Sequence, residues 1–319
     1  MLQSRKRWQH AVVAATGLST GRLTREQSLF LMAHTDVWGV NQVFLHHDLV
    51  PAFYNLEMRK LPDQRKKGRS VTNEAMWDLF DHAKRTAYSN TVFLTREEHA
   101  ADVRRVLQRA APCPRTLVAY KVKNAQSTCT ATLSRNKLRQ PTMSPSAGIV
   151  REFCGSSLSR VFDLMIRMRY STISLVGVDL NSQQHFYTGL PAYASVAERL
   201  PQNWEASMVA FVRRANRNTT LHATAARGIH HFISAVGRTY EGRLSLFNLS
   251  PDSMLRSVAY IKTAPMPETA GEAALKGWWK QHQLGALDAH RRYGRSRRYR
   301  RLFGRTVSDA LGVVPAATE

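Results

Sequence analysis

A short apolar stretch near the middle of the chain, stopped by an acidic residue, limits the fold most strongly. Thr172 to Asp179 reads TISLVGVD, a mostly apolar run that ends at a carboxylate. Such a run is typical of a strand that is buried on both faces of a parallel sheet. Open α/β sheets bind their ligands where the carboxyl ends of the strands meet the following helices. The stretch therefore predicts a functional site at the end of this strand.

The rest of the chain alternates between strand and helix patterns. Strands are predicted at 11–15, 37–40, 51–54, 91–94, 116–119 and 244–247, and helices at 24–33, 73–85, 97–110, 158–168 and 225–236. This order is the signature of a parallel sheet with helices on both faces. We therefore predict an α/β fold: a single Rossmann-like domain over 1–270 with a mostly parallel sheet, and a basic helical tail over 271–319.

A long connection follows the TISLVGVD strand. It covers about 180 to 221, contains a short helical stretch at 204–214, and returns the chain to His222 in TLHAT, at the start of a predicted helix. A connection of roughly 40 residues is too long for an ordinary loop, and such insertions at a ligand edge are often lids. We expect a lid over this segment.

The charge of the chain indicates an anionic partner. The 46 Lys and Arg residues exceed the 23 Asp and Glu residues, which gives a formal charge of +23. Part of the excess lies in two clusters, at 59–69 and 291–301. Nucleic acid, phospholipid headgroups, nucleotide-sugars and acidic glycans all fit this charge, which does not choose among them. The hydrophobic fraction of 43% excludes wholesale disorder.

The number of cysteines and the lengths of the apolar runs indicate the cellular compartment of the protein. Cys113, Cys129 and Cys154 are odd in number and lack metal-ligand spacing, so neither a disulfide framework nor a zinc site is predicted. This pattern fits a reducing compartment. No apolar run reaches the roughly 20 residues of a spanning helix, and 11–15 is too short for a signal-peptide core. We expect a cytoplasmic protein with at most peripheral contact with the inner face of a membrane.

Small and amide residues follow the predicted strands. Gly17 and Ser19 lie in a turn whose backbone N–H groups could approach a phosphate. Asn41 and Asn55 each follow or end a strand, where amides could bind a base, a ribose or a sugar hydroxyl. Such residues are also common in turns that bind nothing, and the residues alone leave both interpretations open.

Taken in order, several segments resemble the bacterial sialyltransferases of glycosyltransferase family 42, which build terminal sialic acids on lipooligosaccharide. These segments are TDVWGVNQVF, PAFYNLEM, YSTISLVGVDL, LHAT and RLSLFNLSPDSML, and they extend from about 11 to 261. The resemblance implies a Rossmann-like domain with a lid, a CMP-sugar donor as substrate, a glycan or lipid-linked acceptor, neither cofactor nor metal, and a homotetramer.

The resemblance also implies roles for single residues. His222 matches the catalytic base, and Tyr187 matches one of two tyrosines that stabilise the departing phosphate. The second tyrosine falls at Asn181, which has no phenol, and Arg151 is the nearest candidate for the family arginine, offset by a few residues. The predicted substrate-binding residues are Thr16, Gly17, Ser19, Asn41, Asn55, Ser156, Ser157, Asn181, Ser250, Pro251 and Ser253.

Other functions remain open at this stage. A nucleic-acid-binding protein fits the charge and the tyrosines Tyr293 and Tyr299 within the Arg-rich run. A Rossmann-like enzyme that uses a pterin or another nucleotide-type substrate also fits, as does a transferase for another CMP-activated acid. The same Arg-rich run could hold the protein at an anionic membrane surface. The sequence does not choose the sugar, the acceptor or the linkage.

Overall fold

The centre of the fold is β1 (His10–Ala14), a strand whose five residues are all buried. In this computed structural model, the described residues are 5–56, 87–109, 116–126, 138, 149–181, 185–198, 221–268 and 271–282. Burial on both faces explains why β1 is a continuous apolar run instead of an alternating one.

Within the described residues, nine strands form one sheet in the order β6-β5-β4-β3-β2-β1-β7-β8-β9. Every neighbouring pair is parallel. The other strands are β2 (Asp36–Val40), β3 (Phe53–Asn55), β4 (Val92–Arg96), β5 (Thr116–Gln126), β6 (Ile149–Phe153), β7 (Thr172–Val176), β8 (Ser245–Asn248) and β9 (Ile261–Thr263). The predicted parallel α/β architecture is confirmed.

The strand order reverses between β1 and β7. From β1 the chain adds strands on one side as far as β6, then returns to place β7 on the other side of β1. Val12 of β1 lies beside Val37 of β2 and Ser174 of β7. A point of reversal opens a crevice at the carboxyl ends of the two strands, where open α/β sheets bind ligands.

Helices cover both faces of the sheet. They are α1 (Leu18–Gly21), α2 (Arg25–His34), α3 (Ala100–Arg109), α4 (Ser157–Arg167), α5 (Phe186–Gly189), α6 (Ala194–Glu198), α7 (Leu221–Thr239) and α8 (Glu272–Gln281). Val12 and Ala14 of β1 belong to one apolar cluster, with residues of α2, α3, α5 and α8. Ala11 and Val13 belong to the other, with residues of α4 and α7. This alternation follows from the two-residue period of a strand.

Local signals in the sequence place several helix starts correctly. The side chain of Thr24 accepts from the Gln27 N–H, and the Gln27 side chain accepts from the Thr24 N–H, which forms the predicted capping box of α2. Ser156 caps α4 by accepting from the Leu158 N–H. The apolar positions of α4 are core residues, as their spacing predicts.

Other elements differ from the prediction. The predicted strand at 116–119 continues to Gln126 as β5, and β6 and β9 occur where no strand was predicted. A single 3₁₀ turn, Met254–Ser257, follows β8. TISLVGVD is a strand only as far as Val176, because Gly177 has a φ of 72° and breaks the extended backbone.

One inference about the cysteines was wrong. Cys154 is disulfide-bonded, although an odd number of cysteines without regular spacing predicted no such bond. It lies in the tight turn between β6 and α4, with a φ of 58°. Spacing along a chain does not reveal which cysteines fold next to each other.

Several predicted segments lie outside the described residues: the helices at 73–85 and 204–214, the basic clusters at 59–69 and 291–301, and much of the lid and the tail. The start of the predicted tail, α8, packs Trp279 against Phe30 of α2, with ring centroids 5.6 Å apart. Among the described residues, no helix is long and apolar enough to cross a membrane.

Candidate active site

Two glycines bring the turns after β1 and β7 into contact. The Gly17 N–H donates to the carbonyl oxygen of Gly177 at 2.9 Å. A Cβ atom at Gly17 would lie only 2.6 Å from both that oxygen and Asp179 Oδ2. At Gly177, a Cβ atom would meet Thr20 and the backbone of Ala15. Glycine is therefore required at both positions for the two strand ends to meet.

The carboxylate of Asp179 holds the turn after β1 to the end of β7. Its Oδ1 accepts the hydroxyl of Ser19 at 2.5 Å, and its Oδ2 accepts the Ser19 N–H at 3.0 Å. Ser19 Oγ accepts in turn from the Gly177 N–H at 2.8 Å and lies 2.6 Å from Ser250 Oγ. Since the Ser19 hydrogen goes to Asp179, Ser250 is the donor between the two serines. Asp179 is thereby committed to structure.

The turn after β8 is hydrogen-bonded to the turns that follow β1 and β7. Ser253 Oγ donates to the carbonyl oxygen of Val178 at 2.8 Å. The side chain of Asn248 accepts from the Ser250 N–H at 3.1 Å and donates to the Ser250 carbonyl at 2.8 Å. Pro251 is exposed at the tip of this turn. Three serines that were predicted to bind substrate lie far apart in sequence but meet at the ends of β1, β7 and β8: Ser19, Ser250 and Ser253.

The beginning of the predicted lid is joined to this group. Asn181 Nδ2 donates to the carbonyl oxygen of Asp252 at 2.6 Å. Farther along, the Phe186 N–H donates to the carbonyl oxygen of Thr16 at 3.0 Å, and Thr16 is itself buried. The described parts of the lid thus contact the turns that follow β1 and β8.

A second group of predicted residues lies beside β2 and β3. Asn41 follows β2 with a φ of 56°, and its Oδ1 accepts from Ser157 Oγ at 3.4 Å. Ser156 is the N-cap of α4, one residue before Ser157. Asn55 is the last residue of β3 and pairs in register with Val40, the residue before Asn41. The carboxyl edge of the sheet therefore brings the two asparagines close together.

Tyr187 is almost fully buried, with 1% of its surface exposed. Its ring stacks on His185 with centroids 5.1 Å apart and lies in the apolar cluster under α2. It also contributes to the raised pKa of Tyr54, behind the larger effects of burial and of Tyr88. Tyr187 therefore lies on the opposite face of the sheet from α4.

Arg151 lies far from both groups. It is on β6 at the edge of the sheet, separated from β1 by four strands. Its Nε and backbone N–H donate to the carboxylate of Asp163 on α4 at 2.8 and 3.0 Å, and its Nη1 donates to the carbonyl oxygen of Leu138 at 3.1 Å. The structure does not bring Arg151 to the crevice between β1 and β7. Its predicted role as the family arginine stays a prediction.

His222 is the second residue of α7, so the predicted helix begins slightly earlier than expected. Its side chain lies outside the described part of the structure.

Sequence reasoning missed two buried tyrosines that hold the asparagines. The Tyr54 hydroxyl donates to the carbonyl oxygen of Asn41 and accepts from the Phe44 N–H at 3.3 Å. The Tyr120 hydroxyl donates to Asn55 Oδ1 at 2.6 Å. Burial raises the pKa of both phenols, so both stay protonated donors. Tyr54 lies within β3 and Tyr120 within β5, and no local sequence signal distinguishes them from other strand residues.

The described residues contain no group of three His, Cys, Asp or Glu side chains that could hold a metal ion. The site is instead built from hydroxyl, amide and backbone groups on either side of β1. Such groups bind neutral and anionic oxygens of a ligand.

Comparison with known proteins gives little beyond the architecture. No protein-family model matches the sequence, and no curated protein matches it. Among solved structures, the chain is similar to the monofunctional α-2,3-sialyltransferase Cst-I from Campylobacter jejuni, with 11% identity over 88% of this chain and 94% of that chain. The TM-score is 0.32, a value too low to carry an argument about function.

Proposed function

We propose that the protein is a glycosyltransferase that transfers a sialic acid, or a related nonulosonic acid, from a CMP-sugar donor to a hydroxyl of a glycan acceptor. One observation carries the proposal: residues from four segments of the family resemblance, together with the turn that follows β1, meet at one edge of the sheet. Ser19 and Ser250 lie 2.6 Å apart beside the β1–β7 crevice, and Asn41, just after β2, accepts a hydrogen bond from Ser157 at the start of α4.

The reaction requires a base for the acceptor. In the proposed mechanism, His222 takes the proton of the acceptor hydroxyl as its oxygen attacks the anomeric carbon of the donor. The bond from that carbon to the phosphate oxygen breaks, and CMP leaves with the electron pair. An imidazole with an ordinary pKa of about 6.5 is neutral enough near pH 7 to accept this proton. The first turn of α7 favours the same neutral form.

Departure of CMP requires donors for the growing negative charge. Tyr187 is the proposed phenol donor to the phosphate, in keeping with the resemblance. Removing one such preorganised donor typically slows a reaction by roughly two to three orders of magnitude. CMP is a good leaving group, so the proposed mechanism uses no divalent metal. Asp179-Leu180-Asn181 agrees with this, because it lacks a second carboxylate and Asp179 is already bound to Ser19.

The test is release of CMP from a panel of CMP-sugars, CMP-Neu5Ac first, in the presence of glycan acceptors. We expect His222→Ala to lower kcat by about 100-fold or more, the usual contribution of a general base. His230→Ala is the matched control, since His230 is on the same helix and contacts Ser257 at 3.1 Å. Absence of CMP release with every donor, or release unchanged in His222→Ala, would reject the proposal. Salt-dependent DNA binding without CMP binding would favour the nucleic-acid alternative.

We further propose that the Arg-rich run at 291–301 holds the enzyme at an anionic membrane that carries a lipid-linked acceptor. Each Lys or Arg near such a surface contributes about 1 kcal/mol. Truncation after His290 should abolish co-sedimentation with phosphatidylglycerol vesicles and leave CMP release from a soluble acceptor intact. Unchanged co-sedimentation of the truncated chain would contradict this.

A further inference from the structure

The side-chain amide of Asn55 is buried, and only one of its two polar atoms, Oδ1, has a hydrogen-bond partner among the described residues. The residue has no exposed surface, and its Oδ1 accepts from the Tyr120 hydroxyl at 2.6 Å. Its Nδ2 has no partner within the described part of the chain. A buried donor without a partner costs about 1–3 kcal/mol, and native structures contain few of them. A ligand that accepts from Nδ2 would offset this cost.

Tyr120 determines which end of the amide is left for a ligand. Burial raises the pKa of its phenol, while the nearby Arg96 opposes and Glu98 adds to the rise. The hydroxyl therefore remains a donor and pairs with the only acceptor of the Asn55 side chain. The Nδ2 hydrogens are consequently the groups available to a ligand.

Arg96 places a positive charge beside this amide. It is the last residue of β4 and pairs in register with Tyr120, while Leu94, two residues earlier, pairs with Asn55. The period of two along a strand puts Arg96, Leu94, Asn55 and Tyr120 on the same face of the sheet, the face covered by α4. The phenol of Tyr120 therefore reaches Asn55 across β4, next to Arg96.

The guanidinium of Arg96 is only partly used. Its Nη1 contacts Glu98 Oε1 at 3.2 Å, and the Glu98 side chain is 60% exposed. Its Nε is buried and has no partner within the described residues. An exposed ion pair of this kind contributes little energy, so Glu98 can yield to a ligand. Arginine forms charged hydrogen bonds that suit phosphate oxygens.

We propose that Asn55 Nδ2 and Arg96 together bind the phosphate of the nucleotide at the carboxyl edge of the sheet, from the α4 face and opposite Tyr187, with Tyr120 as the positioning residue that turns the amide nitrogen toward it. This proposal rests on the proposed use of a CMP-sugar. It assigns a phosphate ligand to Arg96, at the end of β4, and a positioning function to the Tyr120 hydroxyl.

Calorimetric binding of CMP and of cytidine to the full chain tests the proposal, because the two probes differ only in the phosphate. Arg96→Gln should weaken CMP binding by about 10-fold or more, the value of a charged hydrogen bond, and change cytidine binding less than twofold. Asn55→Asp should weaken CMP binding more strongly, because it replaces a donor with a negative charge and still accepts from Tyr120. Arg105→Gln is the control, since it removes the same charge from an exposed ion pair on α3.

We expect Tyr120→Phe to weaken CMP binding less than Arg96→Gln or Asn55→Asp. A released amide populates both orientations, so the apparent affinity for CMP should fall by about twofold to fivefold, according to the fraction left in the binding orientation. The same substitution in the Asn55→Asp background should change CMP affinity less, because a carboxylate has two equivalent ends. A purely structural Tyr120 would lower the thermal midpoint without altering the ratio of CMP to cytidine affinity.

The outcomes separate the two proposals. If the unsubstituted protein binds no CMP, the proposed function and this inference both fail. If it binds CMP and the CMP-to-cytidine ratio is the same in Arg96→Gln, Asn55→Asp and Arg105→Gln, this inference alone fails. Should Asn55→Asp not fold, Arg96→Gln decides the matter, because Arg96 keeps 28% of its side chain exposed and its loss leaves the core unchanged.

Discussion

The hydroxyl of Ser19 lies 2.5 Å from Asp179 Oδ1, and this contact joins residues 160 positions apart in sequence. It connects the first turn after β1 to the end of β7, the two strands between which the order of the sheet reverses. The acidic residue that marks the end of the central strand therefore binds protein groups. The ligand-facing edge is built around it.

Replacement of Asp179 should destabilise the fold. Asp179→Ala removes the acceptor of both the Ser19 N–H and the Ser19 hydroxyl, and Asp179 is only 8% exposed. Hydrogen bonds to a charged group contribute about 1.5–3 kcal/mol each, so we expect the free energy of unfolding in urea to fall by about 3 kcal/mol. Asp252→Ala, which removes an exposed carboxylate paired with Arg22 at 3.3 Å, should cost less than about 0.5 kcal/mol. Equal losses in the two variants would contradict the structural role of Asp179.

Two of the glycines with positive φ, Gly177 and Gly242, allow the cost of a left-handed backbone to be measured separately from the cost of steric crowding. Both have positive φ, of 72° and 76°. A Cβ atom at Gly177 would meet the backbone of Ala15, whereas at Gly242 nothing lies within 4 Å. Gly242→Ala should cost about 1–2 kcal/mol, the penalty of the left-handed region alone. Gly177→Ala should cost at least about 2 kcal/mol more in thermal or urea unfolding. A similar cost in both would show that the β1 and β7 turns are not in close contact.

Arg151 and Asp163 should be strongly coupled in stability. Their side chains are 11% and 1% exposed and lie 2.8 Å apart. Breaking a buried pair by removing one partner costs up to about 3–5 kcal/mol when the other charge is left unpaired, and here Arg167 still pairs with Asp163 at 2.5 Å. We expect Arg151→Met with Asp163→Leu to lose about 2 kcal/mol less than the sum of the single substitutions. The exposed pair Arg105 and Asp102, 3.0 Å apart, provides the control cycle, with an expected coupling below about 0.5 kcal/mol. If the coupling free energy between Arg151 and Asp163 were as small as that between Arg105 and Asp102, the ion pair between Arg151 and Asp163 would not form.

Alkaline pH should unfold the protein through its buried phenols. Burial is the largest cause of a raised pKa at five tyrosines: Tyr54, Tyr88, Tyr120, Tyr170 and Tyr193. Above pH 10 the unfolded chain releases these protons while the folded chain keeps them, so stability is complete below pH 10 and is lost as pH rises through the folded values. The slope should approach about 1.4 kcal/mol per pH unit for each phenol.

Urea unfolding between pH 8 and 11, with phenolate absorbance at 295 nm, measures this effect. Tyr120→Phe should make the loss of stability above pH 10 less steep. Native-state titration of all the tyrosines near pH 10 would contradict the burial of these five side chains.

Edge strands show where sequence patterns stop being informative. β1 and β7 are buried on both faces, and their continuous apolar runs predict them correctly. β6 has two adjacent charged residues, Arg151 and Glu152, between its apolar residues, so its sequence resembles a loop. Its charges are buried only because Asp163 and Arg160 of α4 pair with them. A local pattern does not contain those partners, and the strand was missed for that reason.

The sequence by itself determined the parallel α/β class and the capping of α2, and it predicted the edge at which we propose a site. These follow from local apolar periodicity and from backbone groups within a few residues of each other. Only the tertiary structure decided which polar residues meet: Asp179 binds Ser19, Arg151 pairs with Asp163, and Tyr120 turns the amide of Asn55. Each of these contacts joins separate elements of the fold, and its energy depends on burial that exists only once the sheet has formed.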